Sequence, residues 1–371
     1  MAVLNDVQSM VLDSARGWVR ERLPVRALRA VRDAGDPRGF DAAAWAETGD
    51  LGWCGVALPE AVGGADLGYL TLGLIVEAIG RTVGATPLPV SAVAADSLVL
   101  GGSDSVRESW LPRLASGEAF AALAIDEGAR HAPDAIATAA VRTPDGWRLD
   151  GVKGFVAEGM GADLLIIAAR AEGQIALFAV DAAACGVSRS PRRLTDLRGH
   201  AEIVLSDVSV PDDARLVGPD GDAALIEALM DRACVLAAAE LLGLSVGAFD
   251  TTLEYLKTRV QFGQVIGSFQ ALQHRAADLF TRIELTRSAV EAALLAIDED
   301  APDRALLSSI AKATAGDTAN LATREMIQLH GGIGMTDDHD AGFYIKRSRV
   351  LEAAWGNAAY HRDRFGRLIG V

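Results

Sequence analysis

Two short segments of the chain carry side chains suited to binding a phosphate-bearing ligand. Arg259 offers a planar fork of N–H donors that matches the oxygens of a phosphate group. Gln261 and Gln328 add amide groups, and the Gly331-Gly332 pair removes side chains where a ligand would pass close to the backbone. Together these residues could hold a ligand that carries a phosphate group.

Both segments also have an ordinary structural interpretation. Arg259 could be a solvated cation at the end of a helix, and Gly331-Gly332 could form a C-cap and a turn between two helices. Taken one at a time, the two segments favour this second interpretation. Whether the two segments indicate a binding site therefore depends on the rest of the chain.

The overall charge of the chain excludes several classes of ligand. The 371 residues carry a formal net charge of −15 and a pI near 4.9, so an acidic field repels DNA, RNA and anionic lipid. We therefore predict no nucleic-acid partner. An anionic ligand must meet a local group of basic residues. Two such groups are Arg189, Arg192, Arg193 and Arg198, and Lys346, Arg347, Arg349, Arg362, Arg364 and Arg367.

Cysteine usage and the N-terminal stretch bear on location. Cys54, Cys185 and Cys234 follow no metal-ligand or CxxC spacing, so we predict no metal site and no disulfide framework, and we expect a reducing cytoplasm. The N-terminal stretch predicts an amphipathic helix and lacks the features of a signal peptide. One face of this helix carries Val7, Met10, Val11, Ala15 and Trp18. No uncharged apolar run of about 18 residues is present, so no membrane partner is expected.

The pattern of apolar residues predicts an α+β protein with three domains. Residues 1–118 show helical spacing broken by prolines and glycines, and they form an N-terminal helical domain. Residues 119–215 alternate short apolar segments with turn signals, which predicts a small antiparallel β domain. Residues 216–371 return to long helical stretches, Leu225 to Lys257, Ser268 to Asp298, Arg304 to His330 and Phe343 to Leu368, and these predict a four-helix bundle.

Three segments, in this order, resemble the acyl-CoA dehydrogenase family. The first runs from Leu51-Gly52-Trp53 to Glu77-Ala78-Ile79-Gly80-Arg81. The second is Arg259-Val260-Gln261-Phe262-Gly263 with the residues up to Asp278, and the third is Gln328-Leu329-His330-Gly331-Gly332. The resemblance implies an FAD-dependent acyl-CoA dehydrogenase. It also implies that the residues contacting an FAD held mainly by a neighbouring subunit are Arg259, Gln261, Phe262, Gln328, Gly331 and Gly332.

The chain departs from the family where the catalytic base is expected. The family's reaction needs a carboxylate that removes a proton from the acyl Cα. Counting from Gly331-Gly332 without a gap places Trp355 at the usual glutamate, and counting back from Gly263 places Ala233 at the alternative position. We therefore predict no catalytic residue in this chain. A shift of register could still bring in one of three carboxylates, Asp231, Glu240 or Glu352.

The β domain departs from the family as well. Asp126-Glu127-Gly128-Ala129 stands where the family has an acyl- and flavin-contacting Thr-Glu-Pro-Gly stretch, and Phe155-Val156-Ala157-Glu158 stands where it has an aromatic-Ile-Thr-Asn stretch beside flavin N5. The resemblance still places Phe155 near the flavin ring, and it places Ala157 at a flavin contact without a hydroxyl to offer. The alternative interpretation is that these are ordinary strand and turn residues.

These features predict a base-lacking subunit that works with a second, base-bearing subunit. The assembly we expect resembles the heteromeric acyl-CoA dehydrogenases of actinobacterial sterol side-chain degradation, a heterotetramer with an acyl-CoA substrate and an electron-transfer flavoprotein as acceptor. Two alternatives stay open. One is a homo-oligomeric flavoenzyme of the same fold with divergent chemistry, and the other is a catalytically silent structural subunit.

Overall fold

The fold consists of helices, then a small sheet, then long helices, as the sequence predicts. A computed structural model describes residues 4–371. The helices are α1 (Asp6–Arg22), α2 (Val25–Ala34), α3 (Ala42–Asp50), α4 (Gly68–Gly80), α5 (Leu88–Gly101), α6 (Asp104–Ser116), α7 (Asp222–Thr258), α8 (Gln270–Asp298), α9 (Arg304–His330), α10 (Ala341–Ala353) and α11 (Ala358–Leu368). The α+β class with a helical domain, a β domain and a C-terminal bundle is confirmed.

The sheet is built mainly from antiparallel pairs. Its strands are β1 (Ala121–Ala124), β2 (Ala139–Thr143), β3 (Gly146–Val156), β4 (Leu164–Ala171), β5 (Gln174–Asp181), β6 (Val187–Pro191), β7 (Ala201–Val210) and β8 (Arg215–Leu216). The order across the sheet is β6-β7-β3-β2-β4-β5-β8, and β1 pairs with β4. The β1–β4 and β2–β4 pairs run parallel. The prediction of an antiparallel sheet therefore needs this correction, because strand direction does not show in alternation.

The described residues form two compact units. One contains the residues up to Arg29, Tyr69–Gly84 and Cys234–Val371, with most of the long helices. The other contains Ala30–Gly68 and Ala85–Ala233, with the sheet and the helices α3, α5 and α6. We call them the helical unit and the sheet unit. The three-domain boundaries at 118 and 215 stay a prediction, and the first three residues of the predicted N-terminal domain lie outside the described part.

Two of the predicted helices need correction. α1 exists and begins with a capping box between Asn5 and Gln8, but Val7 and Met10 are exposed and the buried residues are Ala15 and Val19. The predicted face is therefore right at Ala15 and wrong at Val7 and Met10. The predicted helix from Phe343 to Leu368 is two helices, α10 and α11.

The break between α10 and α11 has a local cause. Trp355 has a φ of +57° and Gly356 a φ of +91°, which no right-handed helix can accommodate. Asn357 then accepts the backbone N–H of Tyr360 at 3.0 Å and caps α11. Glycine followed by asparagine is a recognisable stop-and-start signal, and the apolar spacing on both sides hides it.

α7 is the central helix of the chain. Among residues 4–371 it alone is long and apolar enough to cross a membrane, with a mean hydropathy of 1.6 over its most apolar window, and 89% of that window is buried in the protein. Burial to this extent is the arrangement of a core helix in a bundle.

Candidate cofactor-binding site

The Arg259 segment forms a hairpin directly after α7. Its strands are β9 (Val260–Gln261) and β10 (Gln264–Val265), with Gln261 opposite Gln264. The two residues between them, Phe262 and Gly263, have φ values of +53° and +79°, as a tight two-residue hairpin turn requires. This turn leaves the Phe262 side chain 91% exposed. An aromatic ring in that position is available to a ligand or a partner.

The glycine pair Gly331-Gly332 lies directly after α9, and we call the segment that it begins the glycine loop. Gly331 has a φ of +66°, and a Cβ added at Gly331 or at Gly332 would meet no atom within 4 Å. The positive φ of Gly331 ends the helix, in agreement with the interpretation as a C-cap. The open space at both residues is not explained by packing within the described part of the chain. It leaves the backbone accessible to a molecule from outside.

The helical unit brings these two loops together at one end. The rings of Tyr255 and His330 are stacked with their centroids 4.3 Å apart. Tyr255 lies one turn before Arg259, whose backbone N–H it accepts at 2.9 Å, and His330 directly precedes Gly331. The ends of α7 and α9 therefore meet, and the hairpin and the glycine loop emerge side by side. Gln328 is exposed at the same end.

Arg259 fits the phosphate role. Its side chain is exposed and forms no ion pair or side-chain hydrogen bond with any residue in the range 4–371, although the chain is strongly acidic. The carboxamide of Gln261 donates to the carbonyl of Val260 at 2.8 Å, which leaves its oxygen for another donor. A cation without an internal partner, beside open glycine backbone, suits a phosphate-bearing cofactor. The residue roles themselves stay predictions.

Phe155 and Ala157 lie in the sheet unit. Phe155, at the end of β3, has a φ of +57° and is 37% exposed. The guanidinium of Arg192 lies 5.8 Å from the centroid of its ring, within the range of a cation–π contact. Phe155 is thus held as a partly exposed aromatic surface. Ala157 follows two residues later and brings no polar side-chain atom.

The Asp126-Glu127 stretch of the sheet unit is held by a buried ion pair. The buried ammonium of Lys153 donates to Glu127 at 2.8 Å, and Glu127 also accepts from the hydroxyl and backbone N–H of Thr138 and from the N–H of Ala137. Burial raises the pKa of Glu127, but the hydrogen bonds from Lys153, Thr138 and Ala137 outweigh it and lower the pKa to about 2. Glu127 is a permanent anion that fixes the loop.

The loop at Trp355 contains no carboxylate. The backbone carbonyl of Trp355 accepts hydrogen bonds from His361 Nε2 at 2.9 Å and from the Cys234 thiol at 3.5 Å. Cys234 directly follows Ala233, so α7 passes beside the loop at the residue next to the alternative base position. Ala233 itself is buried. Neither an indole nor a methyl group accepts a proton at neutral pH.

The structure assigns clear structural contacts to one of the three replacement carboxylates. Glu240 is buried, and its two oxygens accept from Arg347 at 2.8 and 3.0 Å. A carboxylate in such a bidentate pair has both oxygens engaged by the guanidinium and is not free to meet a substrate. Glu352, near the end of α10, is half-buried. Asp231 is buried in the sheet unit.

A buried lysine that the sequence analysis overlooked supports the same loop. Lys312 is 1% exposed, and its ammonium donates to the carbonyls of Glu352 at 3.0 Å and Gly356 at 2.8 Å. Burial lowers the pKa of Lys312 to about 8, against the opposing effects of Cys234 and Glu352. A signal was available, because Lys312 lies on the buried stripe of α9 between Ser308 and Ala315.

We expect Lys312 to make stability depend on pH in the alkaline range. Its pKa is lowered from an ordinary value of 10.5 to about 8, so the unfolded chain holds the proton more tightly and the folded protein gains stability as pH rises from about 8 to 10.5. Between about pH 8 and pH 9.5 the gain is about 2 kcal/mol. Urea unfolding of the wild type and of Lys312→Met at both values measures it, with the exposed Lys257→Met as control. A pH dependence equal in all three proteins would contradict the assignment.

The order of helices, sheet and bundle, with the hairpin and the glycine pair at one end of the helical unit, is that of the acyl-CoA dehydrogenase class. The chain belongs to this family: the model of the acyl-CoA dehydrogenase N-terminal domain matches residues 5–118, and that of the acyl-CoA dehydrogenase C-terminal domain matches residues 220–370. FAD is the cofactor of this family. The recognition made from the three sequence segments is thus confirmed.

Comparison with individual proteins supports the same family assignment. The chain is 32% identical to the mitochondrial isovaleryl-CoA dehydrogenase of Pongo abelii, over 88% of this chain and 80% of that one. A solved variant of the Tcur3481-Tcur3483 steroid ACAD is 32% identical with a TM-score of 0.90, covering 98% of each chain. The ChsE4-ChsE5 complex from Mycobacterium tuberculosis contains a chain that is 26% identical with a TM-score of 0.90, covering 100% of both.

Proposed function

We propose that this chain is the base-lacking subunit of a heteromeric, FAD-dependent acyl-CoA dehydrogenase that desaturates an acyl-CoA thioester between Cα and Cβ. The observation that carries the proposal is the loop at Trp355. It offers an indole, a glycine and two backbone carbonyls engaged by Cys234, His361 and Lys312, and no group that accepts a proton.

The roles of this chain's residues follow from the site. FAD, when bound, supplies the acceptor for the hydride that leaves Cβ. Arg259 binds the cofactor's pyrophosphate, the amides of Gln261 and Gln328 bind its polar groups, and Gly331-Gly332 let the cofactor approach the backbone. The exposed ring of Phe262 packs against the cofactor or the second subunit. The carboxylate that takes the Cα proton comes from that second subunit.

Two further features of the proposal concern the partners. The second subunit is another acyl-CoA dehydrogenase-type chain with a glutamate at one of the two base positions, in a heterotetramer. The similar steroid ACAD and the similar two-protein complex support this assignment and favour a bulky, steroid-type acyl group. Electrons leave through an electron-transfer flavoprotein, and the assembly works in the cytoplasm, without nucleic-acid or membrane partners.

Expression of the chain alone and together with a base-bearing family member tests the proposal. We expect the chain alone to be colourless or insoluble, and we expect the co-expressed pair to be yellow, with flavin absorbance near 450 nm and both chains in equal amounts. A yellow, stable homo-oligomer of this chain alone would favour the divergent homo-oligomeric flavoenzyme. A pair that assembles without flavin would favour the structural subunit.

A further inference from the structure

His330 contacts two other rings in the helical unit, and we call these three rings the stack. Its ring centroid is 4.3 Å from that of Tyr255, with the ring planes tilted by 32°, and 4.3 Å from that of His339, with the planes tilted by 50°. His330 Nδ1 donates to the carbonyl of Met326 at 2.7 Å, which fixes the ring about its own helix. The side chain is buried. Such offset ring contacts have a preferred geometry, so they hold the elements that carry them in register.

The far ring of the stack is held independently. His339 Nδ1 accepts the backbone N–H of Ala341 at the start of α10, at 3.1 Å. Arg29 binds the carboxylates of Asp337 and Asp340, on either side of His339, at 3.2 and 3.0 Å. The segment that follows the glycine pair is therefore tied down, and the His339 ring that contacts His330 is fixed in place.

Burial lowers the pKa of His330, the hydrogen bond to Met326 opposes this, and the nearby His339 lowers it further. The ring is therefore neutral at pH 7, with its one proton on Nδ1, where the Met326 carbonyl requires it. A neutral ring can stack on Tyr255 and His339 without placing an unpaired charge in a buried position.

We propose that His330 is a positioning residue for the cofactor site. Its ring sits directly before Gly331 and against Tyr255, one turn before Arg259, so it sets the distance between the arginine hairpin and the glycine loop. Because its ring is buried, it acts through these two segments. This inference rests on the proposed FAD site and adds the element that keeps its two halves in register.

A positioning role predicts coupling between His330 and Arg259. In the assembled complex we expect His330→Ala to weaken FAD binding about tenfold. His330→Phe keeps the stack while losing the hydrogen bond to Met326, so it restores most of the affinity. Arg259→Lys, which lacks the planar fork, already binds phosphate poorly, so adding His330→Ala to it costs clearly less than a further tenfold.

The control is Thr286→Val, which breaks a buried hydroxyl pair with Thr318 of 2.8 Å at another place in the same bundle. We expect it to lower thermal stability and to leave the FAD dissociation constant unchanged. Fluorescence titration of FAD into the complex without cofactor measures the FAD dissociation constant of each variant.

The outcomes separate two failures. If the losses of His330→Ala and Arg259→Lys multiply, or if His330→Phe is as weak as His330→Ala, then His330 acts only through general stability and this inference is overturned. If Arg259→Lys binds FAD like the wild type, the proposed cofactor site itself is wrong and the inference fails with it.

Discussion

Replacing Arg259 with alanine should weaken FAD binding to the assembled complex by roughly thirtyfold to a thousandfold. An Arg–phosphate pair withdrawn from water is bidentate and strong, and its loss leaves the phosphate charge without a partner, at about 2–4 kcal/mol. The structure supports this role, because the exposed Arg259 forms no ion pair within the described residues. Titration of FAD at fixed salt concentration measures the effect.

Two comparison variants sharpen the result. Arg259→Lys should recover only part of the affinity, because an ammonium keeps the charge and loses the fork. Lys257→Ala removes a nearby exposed cation that pairs with Glu254 at 2.7 Å, and it should change FAD affinity little. An Arg259→Ala protein with the wild-type dissociation constant would mean that Arg259 is a solvated residue at the end of α7, whose loss changes stability by less than about 0.5 kcal/mol.

The second large effect concerns turnover. We expect the isolated chain, supplied with FAD and acyl-CoA, to show no measurable dehydrogenation, because general-base catalysis is commonly worth about 10²–10⁴ in rate. Addition of the base-bearing subunit should restore activity. Dye-linked oxidation of acyl-CoA thioesters measures the activity of the chain alone and of the chain with the second subunit. The substrates increase in bulk from butyryl-CoA to the CoA thioester of a steroid side-chain acid.

Robust turnover by the chain alone would contradict this prediction and point to a carboxylate placed by a shift of register. Asp231→Asn and Glu352→Gln would then identify the base, since the responsible variant loses the activity. Glu240→Gln is a poor probe, because Glu240 already pairs with Arg347 inside the helical unit. Its loss would act through stability.

The sequence predicted the fold well because long apolar periodicity is a local property. The predicted helix Arg304 to His330 matches α9 at both ends, and Leu225 to Lys257 falls inside α7. Two of the failures have different causes, one local and one long-range. Gly356 and Asn357 split the last helix, and the direction of β1 against β4 depends on pairing between distant segments.

The site was predictable in part. The motif residues Arg259 and Gly331 stand out by type, and their adjacency follows from Tyr255 and His330, two residues whose contact no spacing rule indicates. The place of Lys312 on the buried stripe of α9 shows in the sequence, but its role does not, because its partners are backbone carbonyls of a distant loop. Whether Phe155 and Ala157 meet a flavin stays a prediction.

The packing of α4 against α7 limits how this subunit can move. A Cβ at Gly243 would lie 2.0 Å from the carbonyl oxygen of Glu77, and one at Gly247 would lie 2.0 Å from that of Arg81. The two backbones therefore touch without a layer of side chains between them, and no rotamers can rearrange to let one helix slide along the other. Within the helical unit, α4 and α7 move together as a rigid pair. Adjustment to a substrate or a partner must then occur outside this helix pair, for example in the hairpin that follows α7.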